Sequence, residues 1–323
     1  MKRTIFSLGL LCIMSVCFAA GTKDAGQTAD GQKVLKIGVI QLVEHPALDA
    51  SYQGFVDGLA NAGYVVGQNI KIDYQNAQGE QANCVTIANK LVNDKDDLIF
   101  AIATPAAQAV ANLTKNIPIL VSSVTDPESA KLVKSNAAPG TNVTGTSDLT
   151  PCAAQMDLLK KLVPNAKTVA MLYCSSEQNS IFQINLAKAA CDKLGLKYID
   201  ATVSNSNEIQ QVTQSIVGKA DVIYTPTDNM IAAGMATVAM VANQAKIPTI
   251  CGESGMVKAG GFATYGINYY ELGKQTGAMA AQILRGEKKP ADMPIQYMDP
   301  EKCELAINEA TAKALGITIP DNL

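Results

Sequence analysis

Residues 37–41 read Ile-Gly-Val-Ile-Gln, and residues 169–173 read Val-Ala-Met-Leu-Tyr. Each short apolar run leads into a polar loop, a helical stretch and a closing glycine, Gly63 in the first case and Gly195 in the second. Such glycines suit the left-handed position at a helix C-terminus. The parallel continues. Leu98-Ile-Phe-Ala-Ile-Ala-Thr-Pro105 runs through a helix to Ile117-Pro118, and Asp221-Val-Ile-Tyr-Thr-Pro-Thr227 runs through a helix to Ile247-Pro248. A βα pattern written twice in the same order predicts an α/β fold of two similar Rossmann-like lobes with parallel sheets.

Outward from these runs, strands are expected at 34–41, 70–74, 98–102, 119–122, 169–173, 197–201, 222–224 and 249–251. Helices are expected at 49–62, 81–93, 105–115, 178–194 and 229–246. Residues 260–265 read as a further strand, 269–285 as a long helix, 294–297 as a short strand and 300–315 as a last helix. Sending strand 262–265 back to the first lobe gives an N-terminal lobe of 34–146 plus 253–286. The C-terminal lobe is then 147–252 plus 287–323. Three crossovers, near Gly145–Leu149, Gly252–Ser254 and Gly286–Pro290, form a three-strand hinge able to absorb a closure motion.

The chain of 323 residues opens with Met1-Lys2-Arg3, an apolar stretch from Ile5 to Phe18 and the small residues Ala19-Ala20-Gly21. A basic start, a short apolar core and small residues make an export signal over 1–20. Residues 21–33 form a polar, flexible tether. Cys17 offers lipidation as a second route. Its upstream Met14-Ser15-Val16 fits a lipobox poorly, whereas the tether suits an anchor.

Composition excludes several classes. Net charge is −3, with no basic cluster, which disfavours nucleic acid. The only arginines are Arg3 and Arg285, so an anion must be held by lysine, hydroxyls or helix N-termini. His45 is the sole histidine, which leaves no multi-histidine metal site and no catalytic triad with a base to spare. Neither a Walker A loop nor a GxGxxG fingerprint is present, so no nucleotide cofactor is expected. Six cysteines remain after the leader, at 84, 152, 174, 191, 251 and 303. They lack the paired spacing of a zinc or redox motif, and one or two disulfides stay open.

Several motifs together resemble one family. Ile37-Gly-Val-Ile-Gln41 followed by Glu44-His45-Pro46, Leu48-Asp49 and Gly54 is similar to the opening of ABC-transporter substrate-binding proteins with tryptophan- and phenylalanine-binding members. So are Ala103-Thr104-Pro105-Ala106-Ala107-Gln108, Val124-Thr125-Asp126-Pro127, Gly145-Thr-Ser147-Asp148, Tyr173 with Ser176-Glu177 and Asn179-Ser180, and Pro226-Thr227-Asp228-Asn229. The resemblance covers essentially all of the chain after residue 33. It implies the type I periplasmic binding protein fold and an exported solute carrier. Such a carrier binds a small, aromatic amino acid between its lobes, acts as a monomer, catalyses nothing and delivers to a membrane permease. A sugar or nucleoside ligand, or a sensing role at a membrane receptor, is the alternative.

In open parallel sheets, ligands bind outside the carboxyl ends of the strands. The candidate ligand-binding residues there are Gln41, Glu44, Leu48, Asp49, Thr104, Pro105, Ala106, Thr125 and Asp126 in the first lobe. In the second they are Tyr173, Ser176, Asn179, Ser180, Thr227, Asp228, Asn229 and Glu253. Thr104 as an N-cap before Pro105 would offer free N–H groups to an α-carboxylate. Ser176, Asn179 and Ser180 would hold it from the other side. Asp228 and Glu44 are candidates for an ammonium group, which needs an anionic partner once desolvated. Phe55, Tyr173, Phe182 and Tyr265 are candidates for an aromatic wall.

Overall fold

A computed structural model describes residues 33–299, 302–321 and 323. The expected leader (1–20), most of the tether and Cys17 lie outside the described residues. The first lobe runs β1 (Leu35–Gln41), α1 (Pro46–Asn61), β2 (Ile70–Asn76), α2 (Gln81–Asn93), β3 (Leu98–Ile102), α3 (Thr104–Leu113), β4 (Ile119–Val124) and β5 (Val143–Ser147). The second runs α4 (Cys152–Leu162), β6 (Thr168–Cys174), α5 (Gln178–Lys193), β7 (Lys197–Val203), α6 (Ile209–Ile216), β8 (Val222–Thr225), α7 (Asn229–Ala233), α8 (Met235–Gln244), β9 (Thr249–Cys251), α9 (Ser254–Lys258) and β10 (Ala263–Gly266). The chain then adds α10 (Tyr269–Leu284), β11 (Gln296–Tyr297), β12 (Glu304–Ile307) and α11 (Glu309–Leu315).

Two six-stranded sheets result, ordered β11-β5-β4-β3-β1-β2 and β12-β10-β9-β8-β6-β7. Among the described residues all strand pairings are parallel except β10 with β12. Central strands such as β3 and β4 are buried along their whole length, as helices on both faces require. The βα duplication therefore holds as two like lobes.

The way the lobes connect differs from expectation. β10 lies in the second sheet, with Ala263 opposite Ile250 of β9 and Ala263–Gly266 opposite Ile307–Glu304 of β12. Residues 253–266 thus belong to the second lobe, and the chain crosses back after Gly266 rather than at Gly252–Ser254. α10 does return to the first lobe, and β11 extends that lobe's sheet beside β5. The last crossing therefore follows Tyr297, not Gly286–Pro290. The stretch expected as one terminal helix is β12 followed by α11, because the antiparallel pairing with β10 captures Glu304–Ile307. Gly145 sits within β5 at φ 148°, where a Cβ would lie 2.0 Å from Val121 O. Close strand approach, rather than hinge bending, requires glycine there.

α10 is held by a backbone-to-backbone seam with α1. A Cβ on Gly54 would meet Tyr270 O at 2.0 Å, and one on Gly273 would meet Ser51 O at 2.0 Å. All six cysteines among the described residues are free, five of them buried, so the disulfides left open by the sequence do not form. No helix among the described residues is long and apolar enough to cross a membrane.

Candidate functional site

The carboxyl ends of the two sheets face each other, and side chains already bond across the gap. Gln183 Nε2 donates to Thr125 Oγ1 at 3.0 Å and also to Thr227 Oγ1, while Thr125 Oγ1 and Thr227 Oγ1 lie 3.4 Å apart. His45 Nε2 is 3.4 Å from Asn229 Oδ1. Between these contacts lies a small cavity of about 10 Å³. The first lobe, the crossover and α10 supply His45, Leu48, Asp148 and Tyr269; the second lobe supplies Thr227, Asp228, Asn229, Ala232, Glu253 and Met256.

Three of these residues are carboxylates, and among the described residues no lysine or arginine lines the cavity. Asp148 accepts from Thr125 Oγ1 at 3.0 Å and from Tyr269 Oη at 2.8 Å. Burial nevertheless pushes its carboxyl from 3.8 up to about 6. Glu253 caps α9 by accepting from the N–H groups of Gly255 and Met256, and burial pushes it up to about 7. Asp148 and Glu253 each raise the other titrating groups nearby: Asp148 acts on Glu253, and both act on Tyr269. Asp228 is fully buried and is raised by desolvation, then by neighbouring Glu177. Its oxygens are already taken by Ile231 N at 2.8 Å, Cys174 N at 2.6 Å and Ser180 Oγ at 2.7 Å. Asp228 therefore ties the ends of β6 and α5 to the start of α7. Glu177 braces the same corner, accepting from Asn179 Nδ2, Asn229 N, Asn229 Nδ2 and Met230 N.

A second polar cluster lies at adjacent strand ends of the first lobe. Gln41 Oε1, Thr104 Oγ1 and Ser123 Oγ, at the ends of β1, β3 and β4, are buried without a hydrogen-bond partner. Ala103 and Ser123 carry φ values of 82° and 56°, and Ala103 N bonds Ser122 O. Backbone held in the left-handed region by non-glycine residues marks a strained, over-determined spot. Thr104 is the first residue of α3 rather than its N-cap, a position held by Ala103, and Pro105 follows it. The first-turn N–H groups of Thr104 and Ala106 thus have no side-chain cap.

Of the residues singled out from sequence, Leu48, Thr227, Asp228, Asn229 and Glu253 form the cavity wall. Thr125 joins the lobes beside it, and Asn179 and Ser180 stand behind it. Gln41, Thr104, Pro105 and Ala106 are buried in the first-lobe cluster. Five others sit elsewhere. Glu44 and Ser176 are exposed. Asp49 accepts from Gln41 Nε2 at 2.7 Å. Asp126 closes its own turn by accepting from Ser129 N and Asn136 Nδ2. Tyr173 packs on the second lobe's core, on the sheet face it shares with Val169 and Met171. The expected aromatic wall does not form: Phe55 stacks on Phe100 inside the first core at 3.8 Å, and Tyr265 packs on the second. Asp148, Tyr269, Met256 and Gln183 were not singled out. Asp148 ends the Gly145–Asp148 motif, a signal within reach; Tyr269 depends on where the chain crosses back.

The sequence model for ABC transporter substrate binding proteins matches residues 36–323. A tyrosine-binding protein from Clostridioides difficile (strain R20291) is 43% identical over 98% of this chain and 93% of its own length. An ABC domain in complex with L-Trp from Streptococcus pneumonia is 42% identical with a TM-score of 0.86, covering 89% of this chain and 96% of that one. The ligand-free, open structure of a substrate-binding protein with adhesive properties from Clostridium difficile is 47% identical. Its TM-score is 0.68, covering 90% of this chain and 97% of that one. The chain belongs to the ABC transporter substrate-binding protein family.

Proposed function

We propose that this substrate-binding protein captures an aromatic amino acid between its lobes and presents it, enclosed, to an ABC permease. The observation that carries the reading is the acid-only cavity. Asp148 and Glu253 are buried and held above their ordinary pKa, and among the described residues the cavity wall supplies no lysine or arginine, only Lys258 acting on Glu253 from outside it, so the ligand is the group that supplies the cation. An α-ammonium meets that need. Asp228, which accepts three hydrogen bonds against two each for Asp148 and Glu253, is a weaker candidate than these two, and exposed Glu44 is weaker still. Thr104 Oγ1, Ser123 Oγ and the free N–H groups of α3 supply donors suited to an α-carboxylate.

The tyrosine-binding relative and the L-Trp complex support an aromatic side chain. The closer likeness to the L-Trp complex than to the open, ligand-free structure supports a closed arrangement of the lobes. ABC substrate-binding proteins work outside the cytoplasm. Accordingly, the 1–20 segment exports the chain, which acts as a monomer in the periplasm or is tethered to the membrane through Cys17. It makes and breaks no bond in its ligand.

The chain contains no tryptophan, so bound L-tryptophan is the only source of red-edge emission. Titration should give saturable, blue-shifted emission. L-tyrosine and L-phenylalanine, followed by thermal shift, should add about 2.7 kcal/mol at 100 times Kd. Stabilisation by ribose alone would overturn the ligand class.

A further inference from the structure

His45 is the chain's single histidine, and it is more than nine-tenths buried where it lines the interlobe cavity. Its protonation is fixed by a chain of hydrogen bonds. Asn229 Nδ2 donates to Glu177 Oε2 at 2.6 Å, which turns Asn229 Oδ1, an acceptor only, toward His45 Nε2. Nε2 must therefore carry the proton. Burial holds the imidazole's pKa down to about 4, so the ring is neutral at neutral pH and Nδ1 is a bare lone pair. Nδ1 is buried and has no partner. Leu48, Ala232 and Met256 give this part of the cavity apolar walls. The ligand's ammonium is better served by Asp148 and Glu253, because an ionised acceptor makes the stronger hydrogen bond.

We propose that His45 Nδ1 accepts a hydrogen bond from a donor on the ligand's ring, so that the site selects the phenol of tyrosine or the indole N–H of tryptophan over phenylalanine. This rests on the aromatic amino-acid reading above. Phenylalanine would strand Nδ1 in an apolar setting, which corresponds to a loss of about 10-fold or more in affinity.

Calorimetry with untagged protein tests this. L-phenylalanine should bind at least ~10-fold more weakly than L-tyrosine, and His45→Leu should bring the ratio within ~3-fold by weakening tyrosine. With one histidine, ¹⁵N imidazole NMR shows a single ring. Its non-protonated Nδ1 resonance should move upfield on addition of L-tyrosine and stay near its ligand-free position with L-phenylalanine. The native ratio and the NMR signal need no variant, so they decide even where His45→Leu does not fold. Equal binding of phenylalanine and tyrosine, a ratio preserved in His45→Leu, or an Nδ1 resonance indifferent to tyrosine would each overturn the proposal while leaving the amino-acid reading intact. Failure of all three aromatic amino acids to bind overturns that reading and this one together.

Discussion

Asp148→Asn should make the ligand-free protein no less stable while sharply weakening ligand binding. The carboxyl is buried, and its pKa is raised from 3.8 to about 6 chiefly by desolvation. A carboxylate with a raised pKa in the folded state binds more protons there than when unfolded. Stability is therefore highest below about pH 4 for this group and falls as pH rises toward 6. Above that window the ionised side chain destabilises the fold by on the order of 3 kcal/mol. Asparagine removes the charge, keeps the shape, and can still accept from Thr125 or donate to Tyr269 Oη. At pH 8 the unfolding free energy should stay level or rise by up to about 3 kcal/mol, offset by one mismatched hydrogen bond of about 1 kcal/mol. Ligand affinity should move the other way. Losing a charge-assisted contact to a desolvated ammonium is worth about 1.5–3 kcal/mol, or roughly 10- to 150-fold. Urea melts at pH 5 and 8 with calorimetry on L-tyrosine or L-tryptophan would read both. A variant less stable at pH 8 with unchanged affinity would refute the reasoning and make Asp148 a structural strut.

Three more outcomes follow from the same geometry. Because Glu253 is held near pH 7 by burial, an ammonium ligand should drive it to ionise. Calorimetry in buffers of different ionisation enthalpy should show proton release near pH 6.5 that fades by pH 8.5; no buffer dependence would remove Glu253 from the ammonium site. Thr104→Val deletes a buried hydroxyl without a partner, so unfolding stability should hold or rise while affinity drops about 10-fold; unchanged affinity would leave the α3 start outside the site. Gly54→Ala places a Cβ 2.0 Å from Tyr270 O, so α1 and α10 must part. A loss of about 1–3 kcal/mol in urea melts is expected, and wild-type stability would mean that the seam is looser than described.

How far the sequence reaches is clear from particular elements. β3 and β9 coincide with their expected spans, since five consecutive apolar residues, or a short β-branched run such as Thr-Ile-Cys after Ile-Pro, are a local pattern. Sequence alone makes β5 a crossover, because Val-Thr-Gly-Thr-Ser carries a glycine whose purpose, close approach to β4, is invisible without the neighbouring strand. Sequence alone assigns β10 to the first lobe for a similar reason. Its partners β9 and β12 lie on either side in sequence, and nothing local distinguishes them from the first sheet's edge. At the site, strand-end reasoning reached Leu48, Thr227, Asp228, Asn229 and Glu253. It also took in Tyr173, whose pleat position faces the core.

The amino-acid sequence alone determined the α/β class, the doubled lobe and the loops that face each other, because each rests on short-range periodicity and on one repeated order of elements. Only the tertiary structure decided which polar groups remain without partners. Asp228 accepts three hydrogen bonds, from Cys174, Ser180 and Ile231, whereas Asp148 and Glu253 accept two each and His45 keeps a bare Nδ1. Hydrogen-bond satisfaction and desolvation depend on neighbours a hundred or more residues away, as with His45 and Asn229, 184 apart. Chain order alone does not contain those distances.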